Sequence, residues 1–464
     1  VALVVFAPIC FSESDSVETL LAYLKSPNVR TRLSAARKLG QRRVRNQPVV
    51  EALGATARSD EDWNVRAAAV ESLGMIKDFS ALPAIFDALK DREVEVRRVA
   101  ARSLVAFYTE HDIDFITNRR SGINLFNPFL DTSDHEIIEP YIKVDATIIS
   151  ALGETVRNDP ERDVRVAAVR ALGVLRGNGA IRHLADSANA DQDIRVEVLR
   201  AFVKIGDQSA GEHLVRFFSD SNEKVRTQAM LAAGLLKYRP AVDPLLAIYA
   251  LGPESTGTIK KVTRPVKGIF SYDPPRDEAA LWALSLIGDD RAERVFVDNM
   301  TNDDSDRRQY AFEGLARLAN PTYLNQTSRL ILGERSTEVQ MAQQWALYRM
   351  GSRANLQYIV RKLDTDHAEQ ARGYLMETEN LSDLYPQLQS SNVTVRRKVI
   401  EILGRIGDDG TIRELEPIAR SSGAETADTA IVAIKRIEWR QAGGPRATDS
   451  LLPGEERKRR SNDN

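Results

Sequence analysis

A chain of 464 residues exceeds what one compact core holds, so either several domains or a repeating architecture is required. Apolar residues at 43% and charged residues at 28% exclude an intrinsically disordered chain. The 6% of aromatics, with a remainder rich in Ala, Leu, Val and Ile, argues against an all-β protein. Lys plus Arg number 64 against 66 Asp plus Glu, so no whole-chain field draws the protein to nucleic acid or an anionic membrane, and a charged partner must be met by a local patch.

In chain order, residues 1–12 read as the remnant of a signal peptide. The apolar run Val1 to Phe11 is too short to span a bilayer but has the length of a signal h-region, and Cys10-Phe11-Ser12 supplies small residues where a signal peptidase reads; the basic n-region is missing. The expected location is export, periplasmic or extracellular if bacterial, with the cytoplasm as the alternative. Cys10 is the only cysteine, which excludes an intrachain disulfide, a CxxC pair or a multi-thiolate zinc site. Ala7-Pro8-Ile9 lacks the small residue that a lipobox places before its cysteine, which argues against a lipid anchor at Cys10.

Repeats are expected over residues 16–107, 142–251 and 276–440, the last with a C-terminal cap. Insertions occupy 108–141 and 252–275, and residues 441–464, rich in Gly, Pro, Ser and charge, read as a disordered tail. The evidence for repeats is self-similarity. Glu51 to Gly74 and Ser150 to Gly173 are identical at thirteen of twenty-four positions, at an offset of 99 residues, or three units of 33. Following the Val-Arg register gives Arg32, Arg66, Arg97, Arg165, Arg195, Arg226, Arg308 and Arg396. Seven residues after each stands Leu or Phe, except Ala233 after Arg226. Weaker units at Asp277, Gln340, His367 to Leu375 and Asp428 to Ile434 bring the total to about a dozen.

Each unit has a readable physical logic. Val65, Ala68, Ala69, Leu73 and Ile76 recur at three- and four-residue spacing, which lays them on one stripe of an α-helix. Six residues before the key arginine stands Ser26, Asp60, Asp91, Asp159, Asn189, Asp220, Ser271, Asn302 or Ser390, short side chains able to accept from free N–H groups where a helix begins. A second apolar-periodic stretch lies upstream, such as Ala81 to Leu89 or Leu214 to Phe218, so each unit reads helix, turn, helix. Such a unit cannot bury its stripe alone, and neighbours must stack into an all-α solenoid.

The pattern Asp, Val-Arg, Ala-Ala, Leu-Gly, followed by Ile-Gly-Asp at residues 205–207, 287–289 and 406–408, resembles the HEAT repeat, most closely the bacterial HEAT-like subtype of phycobilin lyases. The resemblance covers about Ser16 to Glu438. It implies that Arg66, Arg97, Arg165, Arg195, Arg226, Arg308 and Arg396 form a structural ladder with aspartates near the turns. Asp277, Gln340 and Asp428 stand where Arg is expected, so the ladder should break in the C-terminal half.

The insertions hold the candidate binding residues. In the first, Phe126, Phe129 and Tyr141 beside Arg119 and Arg120 are either a hot-spot patch for a protein partner or aromatics folded back over the solenoid edge. In the second, a hairpin-like stretch, Lys260, Lys261, Arg264 and Lys267 with Phe270 and Tyr272 form the densest basic and aromatic patch. It is a candidate site for nucleic acid or an acidic protein surface, or a solvated loop. Catalysis finds little support: the five histidines lack i, i+4 pairing, and no phosphate loop or nucleophile elbow appears. The expectation is a non-enzymatic scaffold that binds another protein along its curved surface or through the two inserts, without cofactor or metal. The alternatives are an enzyme or accessory protein of the phycobilin-lyase type and, third, nucleic-acid binding through the basic loop.

Overall fold

The computed structural model describes residues 15–109, 137–253, 274–421 and 424–444. Among the described residues there are α-helices and short 3-10 turns and no strands, arranged as about a dozen helix pairs. The chain divides into two compact units. One comprises residues up to 110 with 144–175 and 182–187, and the other comprises 111–143, 176–181 and 188 onward.

The first unit stacks α1 (Val17–Tyr23) with α2 (Val29–Gln41), α3 (Gln47–Ser59) with α4 (Trp63–Ile76), α5 (Leu82–Ala88) with α6 (Val94–Thr109), and α7 (Ala146–Asn158) with α8 (Arg162–Val174). The helix α9 (Ile181–Ala190) straddles the division. The second unit holds α10 (Arg195–Ile205), α11 (Glu223–Leu235), α12 (Val242–Ala250) with α13 (Arg276–Ile287), α14 (Glu293–Asn299) with α15 (Ser305–Leu318), and α16 (Leu324–Leu330) with α17 (Thr337–Arg349). It continues with α18 (Leu356–Arg361) and α19 (Ala368–Met376), then α20 (Val393–Ile406), and closes with α21 (Asp409–Ala419) and α22 (Ala424–Ala442).

The second helices begin where a short polar side chain takes up backbone donors left free by the helix start. Asn28 accepts from the N–H groups of Arg30 and Thr31, Asp62 from Asn64, Asn222 from Lys224 and Asn392 from Val395. The residue six positions before the key arginine acts one step earlier: Asp60 accepts from Asp62 N–H at 3.0 Å and Asp91 from Glu93 N–H at 2.8 Å, bending the chain into the cap. Asn189 departs from this register. It lies inside α9, and Asp191 supplies the turn by accepting from Asp193 N–H at 2.9 Å.

The apolar stripe packs between neighbours. Val65, Ala69, Leu73 and Ile76 are fully buried, as are Ala168, Leu172 and Leu315, and second helices lie side by side: α2 on α4, α4 on α6, α6 on α8, and α11, α13, α15 and α17 in turn. The glycine eight residues after the key arginine explains how close they come. A Cβ at Gly74 would sit 2.9 Å from Ser103 Cβ on the next second helix, and one at Gly234 would sit 2.9 Å from Ala283 Cα. Glycine at this position therefore lets backbones approach where any side chain would wedge them apart.

Two pairs depart from helix, turn, helix. Residues 208–219 and 381–389 form 3-10 turns in place of a first α-helix, so the stretch Leu214 to Phe218 is not α-helical. The first is wedged against its neighbour, since a Cβ at Gly211 would lie 2.3 Å from the Tyr238 ring. The second contains Pro386, which has no N–H to give a longer ladder.

Candidate interaction surfaces

Arg119, Arg120, Phe126, Phe129, Lys260, Lys261, Arg264, Lys267, Phe270 and Tyr272 lie outside the described residues. Tyr141 is described, and of the two readings for the first insertion it takes the folded-back one. Its ring packs edge-on against Trp439 of α22, with centroids 6.0 Å apart and planes at 65°, beside Val432.

The key arginines stand one turn into their helices, except Arg195, the first residue of α10, and several of them reach both ways. Arg66 Nη1 donates to the carbonyls of Asp60 and Glu61 in its own turn at 2.8 and 3.2 Å. Its Nε and Nη2 grip Asp91 of the following repeat at 2.7 and 2.9 Å. Arg32 holds Asp60 in the same fork, Arg97 holds Asp159 and Arg308 holds Glu334, while Arg195 reaches Asp220 through Nη1 at 2.6 Å. Arg165, Arg226 and Arg396 make the backward contact, to the carbonyls of Asp159, Asp220 and Ser390. Each rung carboxylate thus does two jobs, bending its own turn and accepting the previous repeat's guanidinium, and the planar fork suits both of its oxygens. Hydrogen bonding to Asp91, outweighing the burial that opposes it, holds the Arg66 guanidinium above its ordinary value.

Where arginine is missing, the register adapts. Asp277 accepts from Arg307 Nη2 at 2.7 Å, so the charge order is inverted. Gln340 keeps the backward bond, from Nε2 to the Glu334 carbonyl at 2.8 Å, and its Oε1 accepts from the Tyr358 hydroxyl of α18 at 3.0 Å in place of a forward ion pair.

A second arginine row escaped sequence reasoning. Arg45 Nε donates to the Ile76 carbonyl at 2.9 Å, Arg317 Nη1 to Ser285 at 2.8 Å, Arg349 Nε to Ala316 at 3.2 Å, and Arg440 to the carbonyls of Gly404, Arg405 and Gly407. Each caps the C-terminal end of a neighbouring second helix, where carbonyls lack helical partners and the helix dipole favours a cation. The available signal was a basic residue near the end of its own segment, which also describes many solvated side chains.

Beneath this row, α15, α17 and α19 enclose a polar core. Tyr374 donates its hydroxyl to Glu313 at 2.7 Å and stacks on Trp345 at 4.4 Å, and Arg317 lies 4.9 Å over the Trp345 ring while pairing with Glu377 at 2.8 Å. Burial pushes the Glu313 carboxyl above its ordinary value, against the Arg317 charge and the bonds from Gln309 and Tyr374.

The remaining surface feature is apolar. The first residues of α2, α4 and α6, Val29, Trp63 and Val94, are 38%, 40% and 37% exposed although they share one register in three successive repeats. In α8, α11 and α15 the same position carries Arg162, Glu223 and Ser305, and in α20 it carries Val393, 44% exposed and standing singly. Among the described residues, no group of three or more His, Cys, Asp or Glu is placed to hold a metal ion, and no helix is long and apolar enough to cross a membrane. His183, His213 and His367 lie beside the single carboxylates Glu154, Glu212 and Glu338.

Residues 50–120 match the family model described as HEAT repeats. No curated protein matches the sequence. Among solved structures, an engineered protein is 18% identical, with 91% of this chain and 98% of that one covered and a TM-score of 0.35. The complex of CpcE and CpcF of phycocyanin lyase from Nostoc sp. PCC7120 is 18% identical over 74% and 98% of the chains, with a TM-score of 0.26. Yeast importin-beta (Kap95p) is 13% identical over 92% and 62%, with a TM-score of 0.43. At these values the likenesses carry no argument about what this chain does. Among the described residues the chain is all-α and built of helix pairs, and residues 50–120 are similar to HEAT repeats.

Proposed function

We propose that the protein is a non-enzymatic repeat scaffold that binds another protein along the row formed by Val29, Trp63 and Val94. One observation carries this reading: three consecutive repeats expose an apolar side chain at the same helix-start position, whereas in the later repeats a large apolar residue exposed there stands singly, at Val393 of α20. That position does not face the stripe shared between repeats, so packing does not require an apolar residue there. Adjacent helices sit about 8–10 Å apart, which gives an extended partner evenly spaced apolar contacts with a Trp anchor at the centre.

The test compares the intact chain with Val29→Ser, Trp63→Ser and Val94→Ser combined, by crosslinking and mass spectrometry in the native host, after circular dichroism shows equal helix content. Partners crosslinked through residues 29–94 of the intact chain and lost in the triple variant support the reading. An unchanged set of partners refutes it. A tetrapyrrole or other chromophore bound to the purified chain would instead favour the phycobilin-lyase subtype. Export is proposed on the apolar run Val1 to Phe11 alone, and fractionation of the native host tests it.

A further inference from the structure

Residues 137–143 run across the second unit against α19, α20 and α22. Ile138 is fully buried, and its carbonyl accepts from Arg176 Nε at 2.9 Å. Tyr141 sits on Trp439 and Val432, and the turn after α22 lies over the Tyr141 backbone, so that a Cβ at Gly444 would be 2.9 Å from the Tyr141 carbonyl oxygen. Between these two anchors, Glu139 faces a group of arginines: Arg372 of α19, Arg405 of α20, Arg436 of α22 and Arg176.

The fit of charge to charge is poor. Glu139 approaches Arg436 Nε only to 3.9 Å, and its Oε1 makes no hydrogen bond. Arg372 Nε, Arg405 Nε, and Arg436 Nε and Nη2 are buried without a hydrogen-bond acceptor, although Arg372 and Arg436 are 7% and 5% exposed. The other carboxylates facing the group are Glu369 and Glu401. Burial raises the Glu369 carboxyl, and Arg397 draws on Glu401 at 3.8 Å. Burial also pushes the Arg405 guanidinium down to about 10, with the Glu139 charge opposing and Arg372 and Arg436 adding to the fall. Buried guanidinium donors left without acceptors are costly, and more carboxylate would relieve them.

We propose that this arginine-lined trough is a docking surface for an acidic linear segment of a partner protein, and that residues 137–143 are its built-in, displaceable occupant. The chain's own segment shows the mode: Ile138 leads into a turn at Pro140-Tyr141, closed by Ile142 N–H donating to the Glu139 carbonyl at 3.0 Å, with an aromatic anchor on Trp439 and a carboxylate among the arginines. A partner with two or more carboxylates at the Glu139 position and an aromatic residue two places on satisfies donors that a single glutamate leaves unmet. This surface lies in the second unit and its argument does not use the apolar row, so either reading can fail alone.

The test uses the full chain and a fluorescein-labelled synthetic peptide, Ile-Glu-Glu-Pro-Tyr-Glu, read by fluorescence anisotropy, with a second peptide carrying Lys in place of Glu as control. Tyr141→Ala, which frees the resident segment, should bind the acidic peptide about tenfold more tightly than the unaltered chain. Adding Arg405→Gln and Arg436→Gln should abolish that gain. If circular dichroism shows that Tyr141→Ala unfolds the chain, Glu139→Ala gives the same comparison with the aromatic anchor in place. Equal affinity for both peptides, no gain on releasing the segment, or a gain that survives loss of the two arginines overturns the proposal.

Discussion

Arg66 and Asp91 are joined by two hydrogen bonds, Nε to Oδ2 at 2.7 Å and Nη2 to Oδ1 at 2.9 Å, although they belong to successive repeats. Both side chains are nearly dry, at 3% and 10% exposure, and the same guanidinium is tied back to its own turn. The pair therefore fixes the spacing of one turn to the next as well as joining two charges.

Burial decides what such a pair is worth. Asp91→Ala leaves a buried guanidinium without its carboxylate and should cost about 3–5 kcal/mol in urea unfolding. Arg58 and Asp87 also pair at 2.7 Å, but at 46% and 60% exposure, and Arg58→Ala should cost about 1 kcal/mol or less. Equal costs for the two variants would show that the rung is a surface contact.

Close packing makes the second contrast. Gly74→Ala pushes a methyl to 2.9 Å from Ser103 Cβ and should destabilise by about 1–3 kcal/mol. Gly54→Ala meets Ala84 at an ordinary 3.4 Å in the middle of α3, and its better helix propensity should stabilise by about 0.5–1 kcal/mol. Ala168→Leu, at a fully buried stripe position, should behave like Gly74→Ala. Thermal melts of the three variants check the signs.

Two buried carboxyls should respond to pH in opposite senses. Hydrogen bonding from Arg291, with burial opposing and Arg239 adding, holds Asp289 well below its ordinary 3.8. Its contribution is therefore present above 3.8 and lost as pH falls through the lower native value, so Asp289→Asn should weaken the fold at pH 7 and flatten the acid decline. Burial raises Glu313 above 4.5, so the native state holds the extra proton and stability falls as pH rises from 4.5 through the native value. Relative to the unaltered chain, Glu313→Gln should be more favourable at pH 8 than at pH 4.5. A pH-independent difference in urea midpoints would contradict the assignment.

The repeating fold was legible because the stripe of Val65, Ala69, Leu73 and Ile76 and the arginine register recur in phase, and one stripe fixes a helix and its buried side together. In the residues themselves the acidic half of each rung was visible as a turn residue, and its pairing with arginine was implied by the resemblance to the HEAT repeat alone. That Asp91 also accepts from Arg66 depends on how one repeat sets against the next, which a single repeat's sequence does not encode. Asn189 misled because a short polar residue six places before arginine is compatible with a helix interior as well as a turn. The departures at Asp277 and Gln340 were visible as substitutions, but the use of Arg307 as the cation came from the neighbouring helix. Tyr141 against Trp439 joins residues 298 positions apart, beyond any local pattern. The exposed row was legible as residue type at Val29, Trp63 and Val94, yet exposure became evident only once the stripe had been placed elsewhere.

The central claim is that each repeat is held by its immediate neighbours, through shared stripe and rung. Hydrogen exchange measured by mass spectrometry on Asp91→Ala tests it most directly. The account predicts faster exchange in α4 and α6, which the Arg66 rung couples, with α13 to α20 unchanged. Uniformly faster exchange along the whole chain, or no change in α4 and α6, would contradict it.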